Sequence, residues 1–174
     1  MNKVKLARRA IKNYLKTGEK IKADSPQPGA CFVTLYNHGS LRGCIGNIEP
    51  IGGLEQAIID NAISAATRDC RFEPVQESEL EDLEIEVSVL SPLKPYQPED
   101  SQVLLDFLNK NKPGLVIQKF GRKAVFLPQV WEKLGEAEEF LGQLCLKAGL
   151  LANDWQAGLP AQAGMQFFVF TVEK

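Results

Sequence analysis

The chain has 174 residues, 44% hydrophobic and 24% charged, with a formal net charge of −2. That length suits one domain, with room for a small second lobe, and is enough to bury a substantial core. No apolar run approaches the roughly 18 residues of a membrane span, and a single histidine with no CxxC pair gives no zinc-type ligand spacing, so a metal site is not expected.

Residues 2–17 predict an amphipathic helix. Val4, Ala7, Ile11, Tyr14 and Leu15 recur at helical spacing, and Gly18 supplies a left-handed stop. Lys5, Arg9, Lys12 and Lys16 line a neighbouring stripe. Residues 1–22 hold eight Lys/Arg against one Glu, whereas the remainder has twelve basic and twenty-one acidic residues. Such asymmetry suits either a basic arm for nucleic acid or anionic lipid, or a helix docked on its own acidic body. The acidic balance of the whole favours docking. A Pro/Gly loop is expected at 25–29.

Residues 30–36 read as a strand by β-branched and aromatic content, and Asn37-His38-Gly39 turns it into a second strand, Ser40–Asn47. On a regular strand Leu41 and Ile45 share one face with Gly43, and Arg42, Cys44 and Gly46 take the other. A cation then sits about 7 Å along the strand from a thiol, beside a glycine that leaves room for a ligand. A nearby cation favours thiolate, the form that attacks and binds metals. The alternative is a small packed core residue, since free cysteine is among the most buried types. The loop is ambiguous by one residue, so whether Cys44 shares a face with Val33 or with Phe32 stays open. His38 reads as a turn residue rather than a base.

Pro50–Gly53 introduces a helix over Leu54–Thr67, whose glycine-containing start can turn N–H groups toward an anion. In the polar loop Arg68–Pro74, Asp69 and Arg71 either fix one another or present one group to a ligand. Leu83–Val89 alternates strictly: Leu83, Ile85, Val87 and Val89 face a core, and Glu84, Glu86 and Ser88 face away. Two carboxylates on one face serve as acid and base if their environments differ, or form the wet side of an antiparallel sheet. The Pro-rich stretch 92–98 marks a lobe boundary within a single domain over 1–174. A helix over Ser101–Lys110 comes next. A hairpin follows, of Gly114–Phe120 and Ala124–Leu127 turning at Gly121–Lys123. Helices at 128–134 and Glu136–Ala148, the second with Cys145 on its apolar stripe, and a strand at Gln166–Val172 complete the chain. Two hairpins require antiparallel pairing, so the class is α+β, a mostly antiparallel sheet flanked by helices. Glycine-rich phosphate loops and a GxSxG elbow are absent.

These stretches together resemble the AMMECR domain family. The resemblance runs through Cys31–Tyr36, the hexapeptide Leu41-Arg-Gly-Cys-Ile-Gly46, Asp69–Phe72, Leu83–Pro92, Gly114–Ile117, Leu127–Val130 and Phe140–Gly149. One departure is Cys70, where the family commonly has proline. The resemblance implies a two-lobed α+β fold with the hexapeptide strand near a cleft between a larger and a smaller lobe. It also implies a likeness to component A of the AmmeMemoRadiSam system, with a Memo-family protein and a radical SAM enzyme as companions.

Three functions are in play. The first is an enzyme or enzyme subunit in which Cys44 is a nucleophile or transient carrier and Glu86 or Asp69 handles protons. Its ligand, small and anionic or nucleotide-like, would be bound by Arg42, Gly43, Gly46, Asp69 and Arg71. The second is a non-catalytic adaptor whose arginines bind a small anion or a partner's peptide. The third, nucleic-acid binding through the basic first helix, is least favoured because the rest of the chain is acidic. The residues assign no cofactor. Four cysteines without a secretory leader point to reduced thiols and a cytoplasmic location.

Overall fold

The computed structural model describes residues 2–23, 26–156 and 164–174; residue 25, the start of the expected 25–29 loop, lies outside them. The chain divides into two compact units, Met1–Ser91 with Glu173–Lys174, and Pro92–Val172. The class is α+β. Among the described residues, four α-helices flank two four-stranded sheets, as expected of that class, and no described helix is long and apolar enough to cross a membrane.

The first unit opens with helix α1, Lys3–Thr17. The Asn2 side chain caps it by accepting from the Lys5 N–H, and Gly18 ends it at φ 74°. Its buried stripe is Leu6, Ala7, Ala10 and Ile11. Val4, expected inside, is exposed, because the stripe that faces the sheet is centred on Ala7 and Ala10.

Strands β1 (Ala30–Asn37) and β2 (Ser40–Gly46) form the first hairpin. Its two-residue turn, His38-Gly39, has φ of 48° and 74°, the positive pair that a tight right-twisted hairpin demands. Helix α2 spans Leu54–Thr67 and strand β3 spans Leu83–Leu90, with an unforeseen 3-10 turn at Glu77–Glu79 between them. Strand β1 lies between β2 and β3, pairing antiparallel with both.

One sheet face packs on the helices: Cys31, Val33, Leu35, Leu83 and Val87 join Ala7, Ile11, Ile59 and Ile63 in one core. Val33, Leu35, Leu83 and Val87 are apolar strand residues on one side of the pleat. The closest approach is at Gly43, where a Cβ would lie 2.2 Å from the Ala65 carbonyl oxygen of α2.

In the second unit, β4 (Lys94–Tyr96) lies inside the Pro-rich stretch read as a boundary. It edges a sheet ordered β4-β7-β5-β6, with β5 Gly114–Lys119, β6 Arg122–Phe126 and β7 Gln166–Phe170. Proline is tolerated there because an edge strand leaves one N–H row unused. The β5–β6 turn is Phe120-Gly121, both at positive φ, one residue earlier than expected.

Helices α3 (Ser101–Asn111) and α4 (Ala137–Lys147) complete this unit. Its core stacks Trp131 on Phe140 at 3.8 Å between ring centroids. The expected helix at 128–134 is a shorter 3-10 turn, Pro128–Glu132. The last expected strand is in fact two, β7 and β8 (Val172–Glu173), and β8 joins the first unit's sheet beside β3.

Gly43→Ala is expected to lower unfolding free energy by about 2 kcal/mol, because the added methyl must displace the α2 backbone. Gly52, with nothing within 4 Å of its added Cβ, is the control. Gly52→Ala should stay within about 0.5 kcal/mol of the parent in urea unfolding followed by circular dichroism.

Candidate functional site

The β-sheet register brings a thiol, a hydroxyl and a carboxylate into one row. Thr34 on the central strand is opposite Cys44 on β2 and Glu86 on β3. Directly opposed residues point the same way, so Cys44 lies on the face of Phe32 and Thr34, away from α1 and α2. That answers the question the loop length left open. The Cys44 Sγ is 3.3 Å from Thr34 Oγ1. Thr34 is buried and Cys44 half-buried. Neighbouring strands are about 4.8 Å apart, so Cys44 and Glu86 stand roughly 10 Å apart at the backbone.

Arg42 does not share this row. Leu35 is opposite Gly43 but Tyr36 is opposite Leu41, which leaves Arg42 as the extra residue of a β-bulge. Its guanidinium donates to both oxygens of Glu79, at 2.8 and 3.0 Å, and to the Glu73 carbonyl at 2.8 Å. That pairing holds the Glu79 carboxyl below its usual range. The expected alternation assumed an unbroken strand. The bulge moves Leu41 to the row's face, opposite Tyr36, where it is 40% exposed.

The charged neighbour of Cys44 comes instead from the loop after α2. On the edge strand β2 the Cys44 N–H points outward, and Asp69 Oδ2 accepts it at 2.9 Å. The same buried carboxylate accepts from Arg71 Nε at 2.9 Å, Arg71 Nη2 at 2.6 Å and the Arg71 N–H at 3.2 Å. Asp69 and Arg71 therefore fix one another. The Arg71 guanidinium holds the Asp69 carboxyl far below the usual carboxylate range, so Asp69 orients the loop and does not exchange protons near neutrality. Asp69 raises the Arg71 pKa in turn, and the thiols of Cys44 and Cys70 also lie within electrostatic reach of that guanidinium. Arg71 keeps 53% of its side chain exposed, so part of its donor fork remains open to solvent.

At the other end of the row, Glu86 accepts from Lys174 at 2.7 Å and from the Ser88 hydroxyl at 3.4 Å. It borders a hollow of about 540 Å³ lined also by Asn2, Lys3, Tyr36, Glu84 and Lys174. Ser88, expected on a wet face, is 1% exposed. Period two assigns a side to a strand residue but not what lies over it.

The structure thus brings together Cys44, Asp69 and Arg71, with Glu86 two strands away, and leaves Arg42 outside. Gly43 and Gly46 carry protein over the space a side chain would fill: the Ala65 carbonyl over one, the Phe32 ring and Cys31 carbonyl over the other. Thr34 and Glu79 were not singled out in the sequence. A bulge-dependent register hides the first, and the second lies in an unforeseen 3-10 turn. Cys31 and Cys145 are buried, and burial pushes both thiols up, Cys145 to about 11. Among the described residues no three His, Cys, Asp or Glu side chains converge as a metal would require.

The model of the AMMECR1 family matches residues 4–174. A protein of Methanothermobacter thermautotrophicus is 41% identical over 154 residues, covering 84% of this chain and 80% of its own. One from Methanopyrus kandleri is 42% identical over 161 residues, covering 87% and 78%. The crystal structure of an uncharacterised protein from Pyrococcus horikoshii is similar with a TM-score of 0.85 at 35% identity, covering 98% of this chain and 87% of that one.

Because its folded-state pKa is depressed, Asp69 contributes stability that is present above the ordinary carboxylate value of about 3.9 and lost as pH falls toward the folded value. Asp69→Asn should cost about 2 kcal/mol near neutrality. The gap to the parent should narrow steadily below about pH 4, read by urea unfolding across pH. A gap of constant size from neutral to acid pH would contradict this.

Proposed function

The chain belongs to the AMMECR1 family, and from that premise we propose that it is an enzyme or enzyme subunit working at Cys44 on a small anionic or nucleotide-like ligand. The observation that carries this is the Cys44–Thr34–Glu86 row, with Asp69 and Arg71 closing the strand edge beside the thiol. Cys44 is the nucleophile or transient carrier, and the Thr34 hydroxyl orients its sulfur. Glu86 is the carboxylate assigned to proton handling, since Asp69 is held in its charged form by Arg71. Arg71, through its exposed donors, engages the anion. Because the guanidinium is already matched by Asp69, it lends Cys44 the field of an ion pair rather than of a bare cation.

A Memo-family protein and a radical SAM enzyme in the cytoplasm are the proposed companions, on the resemblance read in the sequence. The non-catalytic adaptor stands as the second reading, favoured by the internal use of Arg42, Gly43 and Gly46: much of the hexapeptide serves packing.

Thermal unfolding with inorganic phosphate, AMP and ADP as probes separates the two. The enzyme reading expects a probe to raise the melting temperature, Arg71→Ala to remove the shift, and bound probe to slow iodoacetamide labelling of Cys44. A shift lost in Arg71→Ala but with no protection of Cys44, and none lost in Cys44→Ala, would count against it and for the adaptor; a shift that survives Arg71→Ala would count against both.

A further inference from the structure

The four cysteines fall into two kinds. Cys31 and Cys145 are sealed in the two cores, whereas Cys44 is half-buried and Cys70 exposed. Cys44 and Cys70 are 26 positions apart in sequence, and in the fold one hydrogen bond and one residue step connect them. Asp69, the residue before Cys70, accepts the backbone N–H of Cys44 at 2.9 Å, and consecutive Cα atoms are about 3.8 Å apart. Arg71, the residue after Cys70, lies within electrostatic reach of both sulfurs.

The segment carrying Cys70 belongs to no helix or strand. Its flanking main-chain ties run from the Phe72 N–H to the Asp69 carbonyl and from the Val75 N–H to the Ala66 carbonyl. Asp69 pins this loop beside Cys44, and a disulfide needs the two Cα atoms about 4.4–6.8 Å apart.

We propose that Cys44 and Cys70 form a two-cysteine redox site, converted by a peroxide into an intramolecular disulfide. The Cys44 thiolate attacks one peroxide oxygen. The O–O bond breaks, hydroxide leaves and takes up a proton to become water, and Cys44 becomes a sulfenic acid. The Cys70 thiolate then attacks that sulfur, the S–O bond breaks as the S–S bond forms, and the hydroxide that leaves takes up a proton to become the second water. Two thiols supply the two electrons that reduce one hydrogen peroxide to two waters, and an external dithiol reverses the reaction. Cytosolic disulfides of this kind are characteristically transient and redox-sensing. The bond caps the half-buried thiol, so it blocks any chemistry at Cys44, yet its formation does not depend on a ligand binding there.

The test exposes the full chain to stoichiometric hydrogen peroxide, counts free thiols after denaturation and maps unreduced peptides by mass spectrometry. The count should fall from four thiols to two, with a Cys44–Cys70 linked peptide two hydrogens lighter than its parts and restored by dithiothreitol. Cys70→Ser should lose that link and leave Cys44 as a sulfenic acid that dimedone traps. A linked peptide joining only separate chains, a count that stays at four, or an unchanged loss of two thiols in Cys70→Ser would each overturn the proposal.

Discussion

The Asp69 carboxylate is the tie on which the first unit's polar face depends. A buried carboxylate is stable only when its charge is matched and its lone pairs are filled. Here Arg71 supplies the charge and three donors, and the Cys44 N–H supplies the fourth. The same bond satisfies an outward-facing N–H of β2 and so blunts an edge that would otherwise be open to pairing with another chain. One side chain thereby sets where Cys44 stands, where Arg71 points and where the loop carrying Cys70 runs.

The hexapeptide is constrained from three further directions. The His38-Gly39 turn fixes the start of β2, the bulge at Arg42 shifts its pleat, and the Ala65 carbonyl presses against Gly43. Arg42 ties the bulge to Glu79 through two hydrogen bonds, one to each carboxylate oxygen, the strong arrangement for an arginine and a carboxylate. These constraints account for Arg42, Gly43 and Gly46 as shape. Of the hexapeptide's side chains that face the row, Leu41 and Cys44, Cys44 is the one that carries a reactive group.

Helices and strands with clear periodicity were legible in the sequence: α1, α2, β1 and β3 lie within a residue or two of their expected bounds. Elements that depend on partners were not. Strand β4 is a strand because Lys94–Tyr96 pair along β7 at Phe167, Phe168 and Val169, and the chain's last strand divides because β7 and β8 pair in different sheets. At the site, alternation put Arg42 beside Cys44, and one inserted residue reversed that. Asp69 and Arg71 were visible as a pair, but their contact with Cys44 spans 25 positions and no local pattern encodes it.

Timed iodoacetamide labelling of the reduced, native protein near neutral pH, read at each cysteine by mass spectrometry, tests the central claim that Cys44 is a presented thiol rather than a core one. Cys70 and Cys44 should be labelled in the folded state, with Cys31 and Cys145 labelled only on unfolding. Labelling of Cys44 only together with Cys31 and Cys145, at the rate of global unfolding, would contradict it.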